Sequence, residues 1–472
     1  MPVQAFDDVH QLRAATHDQV IIRDDGVEVK DATAIRERTI DQLVWSAVFG
    51  EREVMEASRW LIRHLAPAMG AWPASINDLY MAAGRDAYSN VTTPAINLRG
   101  MTYDLARTVF RAGHATQSRQ IILELARSEM GYTQQRPAEY ASAVLAAAIK
   151  EDWQGPVFIQ GDHYQASQKA YAGDPNAEIA AVRDLAIEAI AAGYGNIDID
   201  ASTLVDLSHA TLAEQQAANY RHTAELTKAI RESEPAGVTV SIGGEIGEVG
   251  KVNSTVEDLD AFMTGYLDEL GRLSEAANTD LTGISKISVQ TGTSHGGVVL
   301  PDGSIQEVSV DFGTLAQLSD VAKHRYGMGG AVQHGASTLP EEAFGQFAAA
   351  DAVEVHLATA FQNAIYDSDA FPADLRGEIY AHLSANHADE RKPDQTDQQF
   401  YYTTRKRGFG PFKRQLWSLP ESTKAEILDG LQPRFELIMR ELRVAGQGHL
   451  IDEHIRRVDV PTQAPASLLG SG

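Results

Sequence analysis

Histidines and carboxylates recur at the ends of short apolar runs through the middle of this chain. Asp162 and His163 stand in GDH, Asp198 and Asp200 in DIDAS, Glu245 in GGEIG, His295 in TGTSHGG and His334 in QHGAS. Three of these residues are histidines, in a chain with only 15. Three imidazoles can hold a divalent zinc and leave a fourth position open to substrate. A zinc with an open position polarises a carbonyl as a Lewis acid. A carboxylate beside a ligand, as Asp162 is beside His163, can move protons at the bound substrate. A lone histidine is ordinarily a surface or satisfied core residue, whereas three at the ends of such runs point to a metal. The glycines of GTSHGG and HGAS add a second signal, since glycine lets backbone N–H groups approach an anion closely. There is no cysteine, which excludes disulfides, thiolate metal sites and cysteine nucleophiles.

Such groups need elements that bring them to one place. From Pro94 onward, β-rich runs alternate with helical patterns: PAINL, IILEL, PVFIQGDH, NIDIDAS, VTVSIGGE, KISVQTG, AVQHG and AVEVHLAT. Between them lie stretches such as AEIAAVRDLAIEAIAAG and DLDAFMTGYLDELGRLSEAA, with apolar residues at three- and four-residue spacing. Eight strands in alternation with helices predict a closed (β/α)₈ barrel, a TIM barrel, with function at the C-terminal ends of its strands. No strand–helix junction carries G-x-G-x-x-G or a P-loop, which disfavours a nucleotide fold. The reading divides the chain into a helical N-terminal extension over 1–92, the barrel over 93–365 and a mostly helical C-terminal extension over 366–472. Within that last part, HADERKPDQTDQQFYYTTRKRGFGPFKRQLW reads as a long polar loop holding Arg405, Lys406, Arg407, Lys413 and Arg414. VPTQAPASLLGSG reads as a disordered tail.

The length of 472 residues suits one barrel of roughly 250 residues with additions. A net charge of −25 sets the chain against nucleic acid and anionic membrane as partners. Any phosphate site must then be locally electropositive. No run approaches the roughly 20 apolar residues of a membrane span, and MPVQAFDDVHQL has no signal-peptide pattern. A cytoplasmic protein is the expectation.

Taken in order and at barrel spacing, GDH, IDAS, GEIG, GTSHGG and HGAS resemble the class II fructose- and tagatose-bisphosphate aldolases, and PAINL resembles that family's first strand. The resemblance covers about 94 to 365. It implies that His163, His295 and His334 are zinc ligands and that Asp162 is the catalytic acid/base. It implies that Asp200 and Glu245 are carboxylates near the metal, with a second divalent cation as an option. Gly296, Gly335 and Ser337 match phosphate-binding positions that can also hold a monovalent cation, and Asn97 matches a polar substrate contact. There are departures. The loop after the fifth strand reads GEVGKVNSTVED where the family carries a Gly-Gly-Glu-Asp-like sequence, so Glu248 and Glu257, beside Glu245, are the candidates for a second proton-transfer group. On the eighth strand His356 and Ala358 replace an Asn and an Asp, with only Thr359 matching, and Ala126 stands where a Ser is common.

The resemblance implies a zinc-dependent aldolase that reversibly cleaves a ketose phosphate or bisphosphate to a dihydroxyacetone-phosphate-like product and an aldehyde. It also implies a homo-oligomer, a dimer or a tetramer. The departures predict that fructose 1,6-bisphosphate is a poor substrate, with His356 facing the substrate cavity. Lys286 on the sixth strand is the residue to test for a Schiff-base alternative. The basic run from Arg405 to Arg414 reads as a solvated loop or, alternatively, a distal anion contact. Two rival readings are a non-catalytic aldolase-like subunit and a barrel metal enzyme acting on another sugar.

Overall fold

A computed structural model describes residues 3–247, 252–292 and 310–469. Eleven strands are present among them: β1 (Val20–Ile22), β2 (Val27–Val29), β3 (Ala71–Ala74), β4 (Thr93–Asn97), β5 (Ile122–Ala126), β6 (Gly155–Gln165), β7 (Asn196–Asp200), β8 (Ser241–Glu245), β9 (Lys286–Ser288), β10 (Ala331–Gln333) and β11 (Glu354–Leu357). Strands β4 to β11 pair in parallel around a full circle, each with its sequence neighbours, and β11 closes onto β4. They coincide with the eight runs read from the sequence. The fold is a closed eight-stranded parallel barrel surrounded by helices, a TIM barrel.

Parallel strands are covered on both faces, which is why these runs are apolar almost throughout. Alternate residues still part company. Ile96, Leu123, Val157, Ile159, Ile197, Ile242 and Val355 join the large cluster under the outer helices. Ala95, Ile122, Phe158 and Val332 point the other way and form a second cluster with Ile76, Leu79 and Tyr80 and with Leu450, Ile451 and Ile455. Those last residues come from the helices Asn77–Ala83 and Gly448–His454, with Ile76 just before the first and Ile455 just after the second. Ile76 N–H donates to Asn196, the first residue of β7, at 2.9 Å, so the plug sits at the N-terminal end of the barrel.

The extensions are less uniform than a helical reading allows. β1 and β2 form a hairpin with Val20 opposite Val29. β3 pairs in parallel with Gly155–Phe158 of β6, below the point where β7 joins β6 at Gln160. A four-residue edge strand containing Pro73 leaves no periodicity to detect, and proline is tolerated there because an edge needs no ladder donor. The supposed polar loop contains the helices Asp397–Thr404 and Lys413–Trp417 around a 3₁₀ turn, Arg405–Gly408. The tail is packed as far as it is described. Trp60 Nε1 donates to the Thr462 carbonyl at 2.9 Å, Ala464 N–H donates to Asp24 at 2.7 Å, and Ala464 and Leu468 are buried. Among the described residues no helix is long and apolar enough to cross a membrane.

Candidate active site

The C-terminal end of β6 breaks its own ladder. The pairing with β7 shifts between Gly161 and Tyr164, and His163 adopts φ +40°, a conformation a side chain rarely takes. Gly161 is required because a Cβ there would collide with the Tyr164 ring. A regular strand would send Asp162 and His163 to opposite faces; with the bulge both line one cavity of about 380 Å³ at the barrel mouth. His334, just past the end of β10, lines it too, its ring 4.2 Å from that of His163. Asp162, His163 and His334 offer ligand atoms all within 4.8 Å of one another.

His163 is held from behind. Its Nδ1 lies 3.0 Å from Asp200 Oδ2 and 3.1 Å from Glu245 Oε2. A carboxylate on Nδ1 fixes the tautomer and presents Nε2 as the ligand atom, the usual support of a metal-bound histidine. Burial alone would lower the imidazole pKa, but Asp162, Glu245 and Asp200 outweigh it and hold it well above the ordinary value. Burial, reinforced by Asp200, pushes Glu245 up to about 7, although His163 opposes the rise. Asp200 stays below the usual range despite burial, because His163, Ser202 and Gln165 donate to it. The donors present are imidazoles and carboxylates, a set that suits zinc or another borderline divalent cation.

Beneath these groups the barrel interior is lined with titratable side chains. His356, 4% exposed, places Nδ1 3.1 Å from Glu124 and 3.2 Å from Asp162, and Nε2 2.6 Å from Glu354. Lys286, 1% exposed, reaches Glu354 at 2.6 Å, Gln160 at 2.8 Å and Asp198 at 2.9 Å. Burial would push its ammonium down, but Asp198 and Glu354 together hold it above the usual lysine range. Enclosed by these three partners and absent from the cavity wall, Lys286 is not placed to meet a substrate carbonyl as a Schiff base requires. Burial and the charge of Asp162 push Glu124 up to about 7, His356 opposing.

The other residues singled out from the sequence fall unevenly. Gly335, at φ +72°, and Ser337 follow β10 and line the cavity, as do His356 and Thr359. Ser337 Oγ accepts from Ala360 N–H at 3.3 Å, and its carbonyl accepts from Arg434 at 3.0 Å. Asn97 is not on the cavity wall. Its amide donates to Glu129 at 2.7 Å and more weakly to Asp162 at 3.4 Å, while Arg99 donates to its carbonyl oxygen at 3.2 Å and pairs with Glu129. Asp200 and Glu245 reach the site through His163. Glu257 is exposed on the first turn of the helix Val256–Ala277, outside the cavity, because its place in the chain opens a helix rather than ending a strand. His295, Gly296 and Glu248 lie outside the described residues. The sequence reading passed over Glu124, Glu129, Glu354 and Arg99. Strand parity was the available signal for two of them: Glu124 lies two residues before Ala126, and Glu354 two before His356.

Cavities of about 440, 720 and 760 Å³ exist elsewhere. None of their walls includes Asp162, His163 or His334, so chemistry rather than volume selects the site.

The family model for class II fructose-bisphosphate aldolase matches residues 77–401. No curated protein matches the sequence. Among solved structures, the chain is similar to a probable tagatose 6 phosphate kinase from Sinorhizobium meliloti 1021, at 15% identity and TM-score 0.53 over 76% of this chain and 99% of that one. It also resembles the YdjI aldolase from Escherichia coli K12, at 14% identity and TM-score 0.46 over 79% and 98% of the two chains. A fructose-bisphosphate aldolase from Campylobacter jejuni gives 18% identity and TM-score 0.46 over 80% and 96%. Likeness at such identities speaks to fold alone, whereas the family match spans most of the chain and takes in the whole barrel. On that match the chain belongs to the class II fructose-bisphosphate aldolase family, and aldolase-type lyase chemistry is the activity the family supports.

Proposed function

We propose that this protein is a zinc-dependent aldolase that reversibly cleaves a ketose phosphate or bisphosphate into a dihydroxyacetone-phosphate-like product and an aldehyde. The observation that carries the reading is the convergence of Asp162, His163 and His334 within 4.8 Å beside the turn that begins at Gly335. His163 and His334, joined by His295 on the family pattern, would hold the metal. When bound, the cation supplies Lewis-acid polarisation of the ketose carbonyl. Asp162 takes the proton of the hydroxyl on the carbon that becomes the aldehyde, and returns it in the addition direction. His356 beside its Oδ1 and Asn97 beside its Oδ2 keep that carboxylate aimed. Glu245, 3.1 Å from His163 Nδ1 and raised above the ordinary carboxylate range by burial, is the candidate for a second proton-transfer group. Gly335 and Ser337 would hold the phosphate of the retained half, with Arg434 fixing the turn through the Ser337 carbonyl.

His356 and Ala358, at the end of β11, alter the polar set that would face the sugar. A site built for particular hydroxyl partners discriminates strongly against substrates that leave buried groups unpaired. Fructose 1,6-bisphosphate is therefore expected to be a poor substrate beside a related ketose phosphate. The same reading carries a cytoplasmic dimer or tetramer. The test is a kinetic panel of ketose mono- and bisphosphates with zinc-loaded protein. Triose phosphate should be released, chelation should abolish the release, and added zinc should restore it. Release of no triose phosphate from any member, or conversion to an isomeric ketose instead, would contradict the reading; the second outcome would favour a metal enzyme acting on another sugar.

A further inference from the structure

Near the C-terminus, residues 456–461 run without helix or strand between two fixed points. Before them Ile455 is buried in the plug at the barrel floor, and after them the Thr462 carbonyl accepts from Trp60 Nε1 at 2.9 Å. This strap forms one wall of the cavity of about 440 Å³. The other walls are the hairpin turn between β1 and β2, the helix Arg52–Ala68, strand β3, and the turns at 193–195 and 235–239 that lead into β7 and β8. All of them lie at the N-terminal end of the barrel, away from Asp162, His163 and His334, so the proposed reaction makes no use of this cavity.

Three arginines line it: Arg63 from the helix, and Arg456 and Arg457 from the strap. Arg63 is half-buried and donates to the Ala191 carbonyl. Among the described residues no carboxylate oxygen lies within 4.0 Å of its guanidinium, and burial pushes its pKa down with no negative charge opposing. Arg456, which is exposed, also has no carboxylate oxygen within 4.0 Å among the described residues. Arg457 donates from Nε to Asp459 at 2.8 Å, and its guanidinium carbon lies 5.9 Å from the Trp72 ring centre. The carboxylates on the wall, Asp25, Asp78 and Asp459, are all exposed to water, where their charge is screened.

A guanidinium drawn half out of water without a counter-charge is unfavourable unless a ligand supplies one. Three arginines on one wall are all the more conspicuous in a chain of net charge −25. Between them the wall is apolar, with Pro67, Trp72, Val238 and Val458. An apolar lining with a few placed charges is the pattern of a small-molecule site, and the volume falls in the usual range of roughly 300–1,000 Å³. Guanidinium forks match carboxylate and phosphate, and the half-buried indole of Trp72 offers a surface on which a ring can stack.

We propose that this cavity is a second binding site, for a small organic anion with an aromatic ring. Its carboxylate or phosphate is held by Arg63 and Arg457, its ring lies against Trp72, and the strap 456–461 closes over it. The site lies outside the reaction centre and does not depend on the aldolase reading.

The experiment is calorimetric titration of the full chain with matched probes. Adenosine 5′-monophosphate and indole-3-acetate carry a ring with a phosphate or a carboxylate. Adenosine and indole carry the ring alone, and inorganic phosphate and acetate the anion alone. At least one ring-bearing anion should bind about tenfold or more tighter than both its neutral ring and its bare anion, and the one that does identifies the anionic group. Arg63→Gln should weaken that binding about tenfold or more. Arg457→Gln, on an exposed side chain of the strap, should weaken it about threefold or more without disturbing the fold, which keeps the test open should Arg63→Gln fail to fold. Bound ligand should also slow hydrogen exchange at Val458 and Val460, since a ligand that needs the closed strap stabilises it. Neutral rings binding as tightly as the anions, binding unchanged in the Arg457 variant, or no ring-bearing anion binding below about 1 mM would overturn the proposal.

Discussion

Phe158 and Gln160 are neighbours on the inner face of β6, and they belong to two different kinds of interior. Phe158 packs with Ile122, Ala95 and Val332 against the helices that plug the barrel floor. Gln160 donates to Glu124 at 3.0 Å and Glu354 at 2.8 Å and accepts from Lys286 at 2.8 Å. Two residues along a strand, the barrel changes from apolar packing to a fully buried ionic layer. Apolar burial stabilises directly, at about 25 cal/mol per Å² removed from water. Buried charges cost several kcal/mol each in lost hydration, and pairing returns that only when the geometry is good. The lower layer therefore holds the barrel together. The upper one is explained by what it touches, since its chain of contacts runs from Lys286 through Glu354 and His356 to Asp162.

The sharpest break of this contrast is Lys286→Met. It takes the lysine from Glu354 and Asp198, leaving His356 to face both carboxylates, and should cost about 3–5 kcal/mol in denaturant unfolding. Adding Glu354→Gln should recover part of that loss, because one stranded charge is then removed. A double variant less stable than the single would show that the layer is held by something other than ion pairing. In the lower layer, Leu450→Ala removes a plug side chain and should cost about 2–4 kcal/mol. Metal content and turnover should be unchanged in that variant, and a large loss of either would couple the two layers.

The smallest expected effect concerns a third kind of interior, at the packed tail. His64 stacks on Trp60 at 4.0 Å, its ring nitrogens facing the Trp60 carbonyl at 2.9 Å and the Thr462 N–H at 3.3 Å. Burial lowers its pKa below 6.5, opposite in direction to His163 and His356, whose carboxylate neighbours raise theirs. Below about pH 6.5 the unfolded chain takes up a proton at this histidine that the folded chain resists, so the stability of this contact falls as pH falls. Hydrogen exchange at Thr462 and Ala464 should quicken between pH 7.5 and 5.5 and lose that pH dependence in His64→Asn. Exchange unaffected by pH in the wild type would show that the tail is held without the neutral imidazole.

Legibility in the sequence divides along the same lines. All eight barrel strands could be read because each is an apolar run followed by a helical period. Asp162, His163 and His334 could be read because they end such runs. Glu124, Glu354 and Lys286 were harder. Each interrupts an apolar strand with a charge, and only strand parity says that three such charges meet inside a barrel. β3 and the tail left no signal because four residues and an irregular segment carry no period; their places depend on partners distant in the chain, β6 and Trp60. The basic run was legible as charge but not as position. A segment rich in Arg and Lys reads as solvated until Gly100 and Tyr132 are seen to pin it across the mouth, with Arg405 buried and Lys406 turned to the cavity.

The central claim is that Asp162 performs proton transfer at a metal held by its neighbours. Asp162→Asn tests it most directly, with zinc content and carbon–carbon cleavage measured on the same preparation. The account predicts about one zinc per chain, as in the wild type, with turnover of the best ketose phosphate reduced by roughly 10²-fold or more. Near-normal turnover with zinc retained would contradict it.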